Sequence, residues 1–202
     1  MARKTDPEEK IVNAAMKLAA ERGWQALTLA DIARTAKLKL SEMPARFSSK
    51  TAILAAYAKR IDARVLDEAA AEDTTGESAR DRLFDVLMMR FDAMAGEKKA
   101  LGRIAQDMKR EPLSSAALVR PMLQSMSWML EASGIDSSGI RGALRARGLA
   151  LIWASAFNTW LDDDDDQSKT MAVLDRRLAD AALLVELVSR FMPKRHDRGE
   201  AA

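Results

Sequence analysis

The sequence predicts an all-α protein of nine helices, and three observations carry that expectation. Helix-forming Ala, Leu, Arg and Met are abundant across the 202 residues, whereas Gly and Pro number only 9 and 5. Apolar side chains recur at the three-and-four spacing of a helix face, and no alternating strand pattern of useful length appears. Capping residues stand before the periodic stretches, and Gly or Pro stands after them.

The first helix starts at Pro7, with Asp6 as its cap and Glu8 and Glu9 at the positive end of the dipole. Ile11, Ala14, Ala15, Leu18 and Ala19 form its apolar stripe, and Gly23 ends it. Thr28 opens the second helix, with Asp31 completing a short capping box. Lys37, Leu38 and Lys39 form a turn, and a third helix is expected over 40–47. Ser49 caps a long fourth helix that reaches about residue 71. Residues 73–76 read as a linker. Five more helices are expected at 79–95, 97–110, 115–133, 138–162 and 168–192, the seventh with Pro121 inside it. Pro112 and Pro193 serve as stops, and residues 194–202 read as a disordered tail.

Composition narrows the function. There is no cysteine, which excludes disulfides, thiolate metal sites and a Cys nucleophile. The single histidine, His196, lies in the tail, so neither a Ser-His-Asp triad nor a His zinc site is expected. No catalytic constellation and no cofactor motif is found, and the chain is not expected to be an enzyme. The absence of a signal-like N-terminus and of a run of about 18 apolar residues predicts a cytoplasmic protein. Charge is uneven. Residues 1–64 hold 13 Lys/Arg against 7 Asp/Glu, whereas residues 65–202 hold 19 against 23. A basic module joined to a mildly acidic one suits an anionic partner at the N-terminal end, and a chance excess of surface lysines is the competing reading.

Two short helices around a three-residue turn, within a basic segment, form the layout of a helix-turn-helix DNA reader. Lys39, Ser41, Glu42 and Ala45 are the candidate base-facing residues, and Arg46 can reach a guanine edge or a phosphate. Thr28 and Lys50 sit at helix N-termini, where backbone amides favour phosphate, and Lys37 adds charge to the turn. The alternative is that these cations are ordinary solvated surface. Pro44 complicates the segment. A helix beginning at Leu40 loses an internal hydrogen bond there. With Ser41 as cap, Pro44 falls at the third helical position, where its missing N–H costs nothing. The second reading is preferred, and it shortens the reading helix to at most two turns.

These residues resemble the TetR/AcrR family of regulators. Ile11, Ala14, Ala15 and Leu18 with Glu21-Arg22-Gly23-Trp24 look like that family's first-helix segment. Thr28, Asp31, Ile32, Ala33 and Ala36 fit its TxxDIAxxA helix, and Phe47, Ser49 and Lys50 fit its FxSK junction. Two positions depart from the pattern: Lys37 stands where the family usually has Gly, and Pro44 where it usually has Tyr. The resemblance implies a three-helix DNA-binding head over residues 1–50 and a ligand-binding, dimerising body over 51–193. It further implies a homodimeric repressor on a palindromic double-stranded DNA operator, released by a small apolar effector. A second resemblance covers Trp160, Asp162 to Asp166, Thr170 and Leu174-Asp175-Arg176-Arg177. It is to the TetR-fold lipid-binding accessory proteins of ubiquinone biosynthesis, and it implies a pocket for isoprenoid lipid with no DNA function.

Seven of the twelve methionines fall within residues 88–129, and methionine suits irregular apolar cavities. The expected pocket is lined by Phe84, Met88, Phe91, Met126, Trp128, Met129, Trp153 and Phe157, with Arg147 or Asn158 as polar contact; a plain filled core is the competing reading. The eighth and ninth helices carry the stripes Leu144, Leu151, Ala154 and Leu174, Leu178, Ala181, Val185, Val188, which predict a homodimer through a four-helix bundle. The run Asp162–Asp166 lacks the spaced oxygens and Gly of a calcium loop and reads as a solvated acidic turn, so no metal is expected.

Overall fold

The computed structural model describes residues 6–72, 75–110 and 116–191, with side chains described as far as residue 184. The tail at 194–202, the stops Pro112 and Pro193, His196 and the side chains of Val185 and Val188 therefore lie outside what is described, as does part of the 73–76 linker.

The described residues form eight α-helices and two 3₁₀ turns, and no strand. These are α1 (Pro7–Arg22), α2 (Leu29–Thr35), α3 (Lys50–Ala69), α4 (Ala79–Met94), α5 (Lys98–Arg110), α6 (Val119–Ala132), α7 (Gly139–Leu161) and α8 (Ser168–Phe191). Seven of them run for thirteen residues or more, and α2 has seven. The nine-helix expectation is thus corrected. The segment expected as a third helix is a 3₁₀ turn at Leu40–Glu42.

Local chemistry sets most boundaries. The Asp6 carboxylate accepts from the Glu8 amide, and Pro7 holds the first position of α1. Gly23 leaves the helix at φ +84°, a conformation open to glycine. Ser49 accepts from the Ala52 amide and starts α3. Pro121 falls in the first turn of α6, where no helical hydrogen bond is lost.

The helices close around one continuous core. Ile11, Ala15, Ile32, Val65, Leu87, Phe91, Met126, Met129, Trp160 and Leu174 are all buried in it. Helix α1 packs on α2, α3 and α5; α3 packs on α4 and α6; α7 packs on α5, α6 and α8. A charged pair crosses this core. Arg90 on α4 meets the Asp62 carboxylate on α3, Ser125 on α6 donates to the same oxygen at 2.6 Å, and the guanidinium lies 5.1 Å from the Trp153 ring centre.

The acidic turn differs from expectation at one residue. Asp163 is buried, and its Oδ2 accepts from the Thr170 amide and hydroxyl, both at 2.7 Å. Lys98 donates to its carbonyl at 2.7 Å. Burial works against the Asp163 charge, but the Thr170 donors, the Asp164 amide and Lys169 outweigh it and hold the carboxyl below the usual aspartate range. One member of the run therefore pins the start of α8, while its neighbours stay exposed.

Candidate functional site

The site is built on the connection from α1 through α2 to α3. The Thr28 hydroxyl accepts from the Asp31 amide at 3.1 Å, and the Asp31 carboxylate accepts from the Thr28 amide at 3.2 Å. The Thr28 hydroxyl also donates to that carboxylate at 2.6 Å. These Thr28 groups hold the Asp31 carboxyl below its ordinary value. A carboxylate thus already occupies the positive end of α2, and Thr28 acts first as a cap.

Helix α2 ends in a Schellman turn. The Leu38 amide donates to the Ala33 carbonyl at 2.9 Å and the Lys37 amide to Arg34 at 3.1 Å. The geometry places Lys37 at φ +59°, in the left-handed region. This explains why a Gly would suit the position. A lysine there is strained but fully exposed, so its ammonium projects from the turn into solvent.

Beyond the turn the reading segment is broken. Neither sequence reading of Pro44 matches the structure. Lys39, not Ser41, flanks the start of the 3₁₀ turn, and the chain then makes one turn in which the Met43 carbonyl accepts from Arg46 at 2.9 Å and from Phe47 at 2.8 Å. Pro44 has no N–H to continue the ladder from Leu40, so no α-helix propagates across it. Two anchors hold the segment to the head, Met43 at 1% exposure and Phe47 at 6%. Leu40 is left 52% exposed at its edge.

The candidate DNA residues separate into two groups. Lys37, Lys39, Ser41 and Ala45 are exposed. The other four serve the chain itself, Thr28 as the cap of α2. Glu42 accepts from the Lys39 amide at 2.8 Å, and Arg46 donates to the Glu42 carbonyl at 3.0 Å, satisfying an oxygen that the broken helix leaves without its usual partner. Lys50 donates to the Trp24 carbonyl at 2.9 Å and to Gln25 at 3.4 Å, and stands 5.4 Å from the Trp24 ring centre. Sequence reasoning missed Asp107 on α5. Its Oδ2 accepts from the Gln25 amide at 2.9 Å and the Trp24 amide at 2.7 Å. The Gln25 amide is the larger cause that holds this carboxyl below the usual range. A lone Asp 83 residues from its partner leaves no local signal in the chain.

In the body, Phe91, Met126, Met129 and Trp153 are buried, and Phe84, Met88 and Phe157 pack half-buried against them. Their rings stack with one another and with Trp160. Phe91 stacks on Trp153 with centres 4.4 Å apart, and Phe157 lies 5.7 Å from Trp160. Trp128, Arg147 and Asn158 do not join this cluster. Arg147 and Asn158 are exposed and donate to carbonyls of their own helix, at 3.0 and 2.8 Å. Trp128 is 47% exposed and lines a groove of about 480 Å³ between α3 and α6, with Ala55, Ala56, Leu66 and Pro121. An open cleft of about 1500 Å³ lies between the α1–α2 loop, α5 and the end of α7.

The predicted dimer stripes also divide. Leu144 at 62% and Leu151 at 75% exposure leave α7 with an apolar face that none of the described residues covers, and Ala154 shares that exposure. Leu174 and Leu178 are instead core residues, because α8 spends that face on its own chain; Met171, Leu183 and Leu184 are its exposed large apolar positions among the described side chains.

Comparison with known proteins places the head and the fold. The family described as bacterial regulatory proteins, tetR family, matches residues 11–57. A TetR transcriptional regulator from Nitrosomonas europaea is 27% identical, with a TM-score of 0.70 over 88% of this chain and 99% of its own. A TetR regulator from Rhodococcus sp. is 20% identical, with a TM-score of 0.63 over 90% of this chain and 97% of its own. A fatty acid degradation regulator from Bacillus halodurans is 16% identical, with a TM-score of 0.59 over 87% and 96%. No curated protein matches the sequence.

Proposed function

Since the chain, through residues 11–57, belongs to the tetR family of bacterial regulatory proteins, we propose that it is a DNA-binding transcriptional regulator. In this reading it acts in the cytoplasm as a homodimeric repressor on a palindromic operator. The observation that carries the reading is the match of residues 11–57 to that family, with Lys37, Lys39, Ser41 and Ala45 exposed on the turn and 3₁₀ segment that follow α2. Residues 1–50 form the reading head and 51–193 the body. Thr28, Glu42, Arg46 and Lys50 shape that head, and Arg46 keeps guanidinium donors beyond the one given to Glu42 for a base edge or phosphate. The exposed apolar face of α7, with the adjoining Leu183 and Leu184 on α8, is the proposed dimer seam.

Ligand response is assigned to the α3–α6 groove rather than to the stacked aromatic core. Its volume of about 480 Å³ and its lining of Ala, Leu, Pro and Trp suit a small apolar effector. Occupation there bears on α3, whose first turn follows the reading segment. An effector that binds one head spacing better than another then shifts the population away from the operator-bound state.

A second reading is favoured by one observation. Pro44 leaves the reading segment without a helix and exposes Leu40. This suits a lipid-binding accessory protein of ubiquinone or isoprenoid metabolism with no DNA function. Selection of random and genomic DNA fragments at near-physiological salt decides between the two, because phosphate-only binding fades there while base readout survives. Enrichment of one palindrome supports the regulator. Weak binding to all sequences, together with isoprenoid lipid in the extract of the purified protein, overturns it.

A further inference from the structure

We propose that Asp107 is a positioning residue for the reading segment, one jaw of a two-sided clamp that ties α5 of the body to the first residue of α3. The clamp grips the backbone of two consecutive residues, Trp24 and Gln25, on both sides of the peptide unit that joins them. On one side their N–H groups both donate to Asp107 Oδ2, at 2.7 and 2.9 Å. On the other side their carbonyls both accept from Lys50 Nζ, at 2.9 and 3.4 Å. In the Trp24–Gln25 peptide unit the carboxylate at the Gln25 N–H and the ammonium at the Trp24 carbonyl polarise one amide in the same sense, so those two bonds strengthen each other.

The surroundings fix the loop in this place. Trp24 is buried, with the Lys50 ammonium over its ring. A Cβ on Gly23 would come within 3.2 Å of Asp107 Oδ2, and the φ of +84° there already disfavours any other residue. The chain thus approaches the carboxylate as closely as a glycine allows. Lys50 follows Phe47, the anchor that closes the reading segment, by three residues. Displacement of α5 relative to α1 therefore reaches the reading segment through hydrogen bonds alone, in parallel with the continuous helix α3. The open cleft is lined by both Gly23 and Asp107, so the joint borders a concavity.

The mechanical part stands on the loop geometry; its effect on DNA rests on the regulator reading above. The test separates them. Amide hydrogen exchange is measured on the full chain without DNA, for the wild type, Asp107→Asn, Asp107→Ala, Lys50→Ala and the double variant. The expected result for Asp107→Ala is exchange about tenfold faster or more at Trp24 and Gln25 and also across 39–47, with α7 unchanged. Lys50→Ala raises the same reading-segment amides, and the double variant adds little to either single change. Asp107→Asn, which keeps one acceptor oxygen and the side-chain shape, falls between, and it carries the test should the alanine variant not fold. Faster exchange confined to Trp24 and Gln25, or fully additive effects in the double variant, overturns the clamp. On a selected operator, Asp107→Ala lowers affinity about tenfold. A wild type that selects no operator removes the DNA reading, while the exchange data still decide the clamp.

Discussion

Lys37 offers a perturbation whose two consequences have opposite signs. It holds the residue position after the α2 cap at φ +59°, with the paired hydrogen bonds of a Schellman turn. A side chain in the left-handed region costs about 1–2 kcal/mol, because Cβ crowds the following carbonyl. Glycine removes that cost and adds about 0.5–1 kcal/mol of unfolded-chain entropy to be lost. The net expectation for Lys37→Gly is a gain of about 0.5–1 kcal/mol. For a domain of this size that corresponds to about 1–4 °C in Tm. The same change deletes an exposed cation from the proposed reading surface, and every phosphate that the protein no longer neutralises reduces the salt slope of binding by about 0.9. The assay pairs urea unfolding with DNA titration across salt concentrations. The midpoint should rise at constant m while the slope falls. Lys37→Ala separates the two effects, since it keeps the Cβ and removes the charge; it should lower the slope and leave stability within about 0.5 kcal/mol. A Lys37→Gly protein that is less stable than the parent refutes the argument from strain.

Three further perturbations test the scaffold. Asp62→Ala leaves the buried Arg90 without its counter-charge and should cost about 3–5 kcal/mol in urea unfolding, whereas Asp62→Leu with Arg90→Met should be neutral or better. Gly142→Ala would gain about 1 kcal/mol from helix propensity in open surroundings. Here a Cβ would lie 1.9 Å from the Ser137 carbonyl, so the backbone must move and Tm should fall, at a cost of about 1–3 kcal/mol. Asp163→Asn should destabilise the protein at neutral pH. The carboxyl is depressed in the folded state, so its contribution is present above the ordinary value of about 3.9 and is lost as pH falls through the lower folded value. The gap in Tm between parent and variant should therefore hold from neutral pH down to about 3.9 and narrow progressively below it; a gap that persists unchanged in acid contradicts the role given to Asp163.

Much of the helix framework is legible in the sequence, because each boundary depends on residues a few positions apart. Asp6 with Pro7, Thr28 with Asp31, and Ser49 with the Ala52 amide start helices by bonds that close within three residues, and Gly23 ends one by its own φ. Pro44 marks the one place where local rules permit more than one outcome. Either a shifted cap or a broken helix satisfies the chain, and the burial of Met43 and Phe47 selected the break. Side-chain function followed no local rule. The FxSK motif identifies Lys50, yet its partners lie 25 and 26 residues earlier, and Asp107 reaches the same peptides from 82 and 83 residues away. The methionines and aromatics of the body carry equal apolar character whether they line a cavity or fill one. In three dimensions Phe91, Trp153, Phe157 and Trp160 stack on one another. Caps and turns are short-range hydrogen bonding, which sequence order specifies directly. Partners, pockets and free surfaces arise when distant helices pack, and that arrangement exists only in three dimensions.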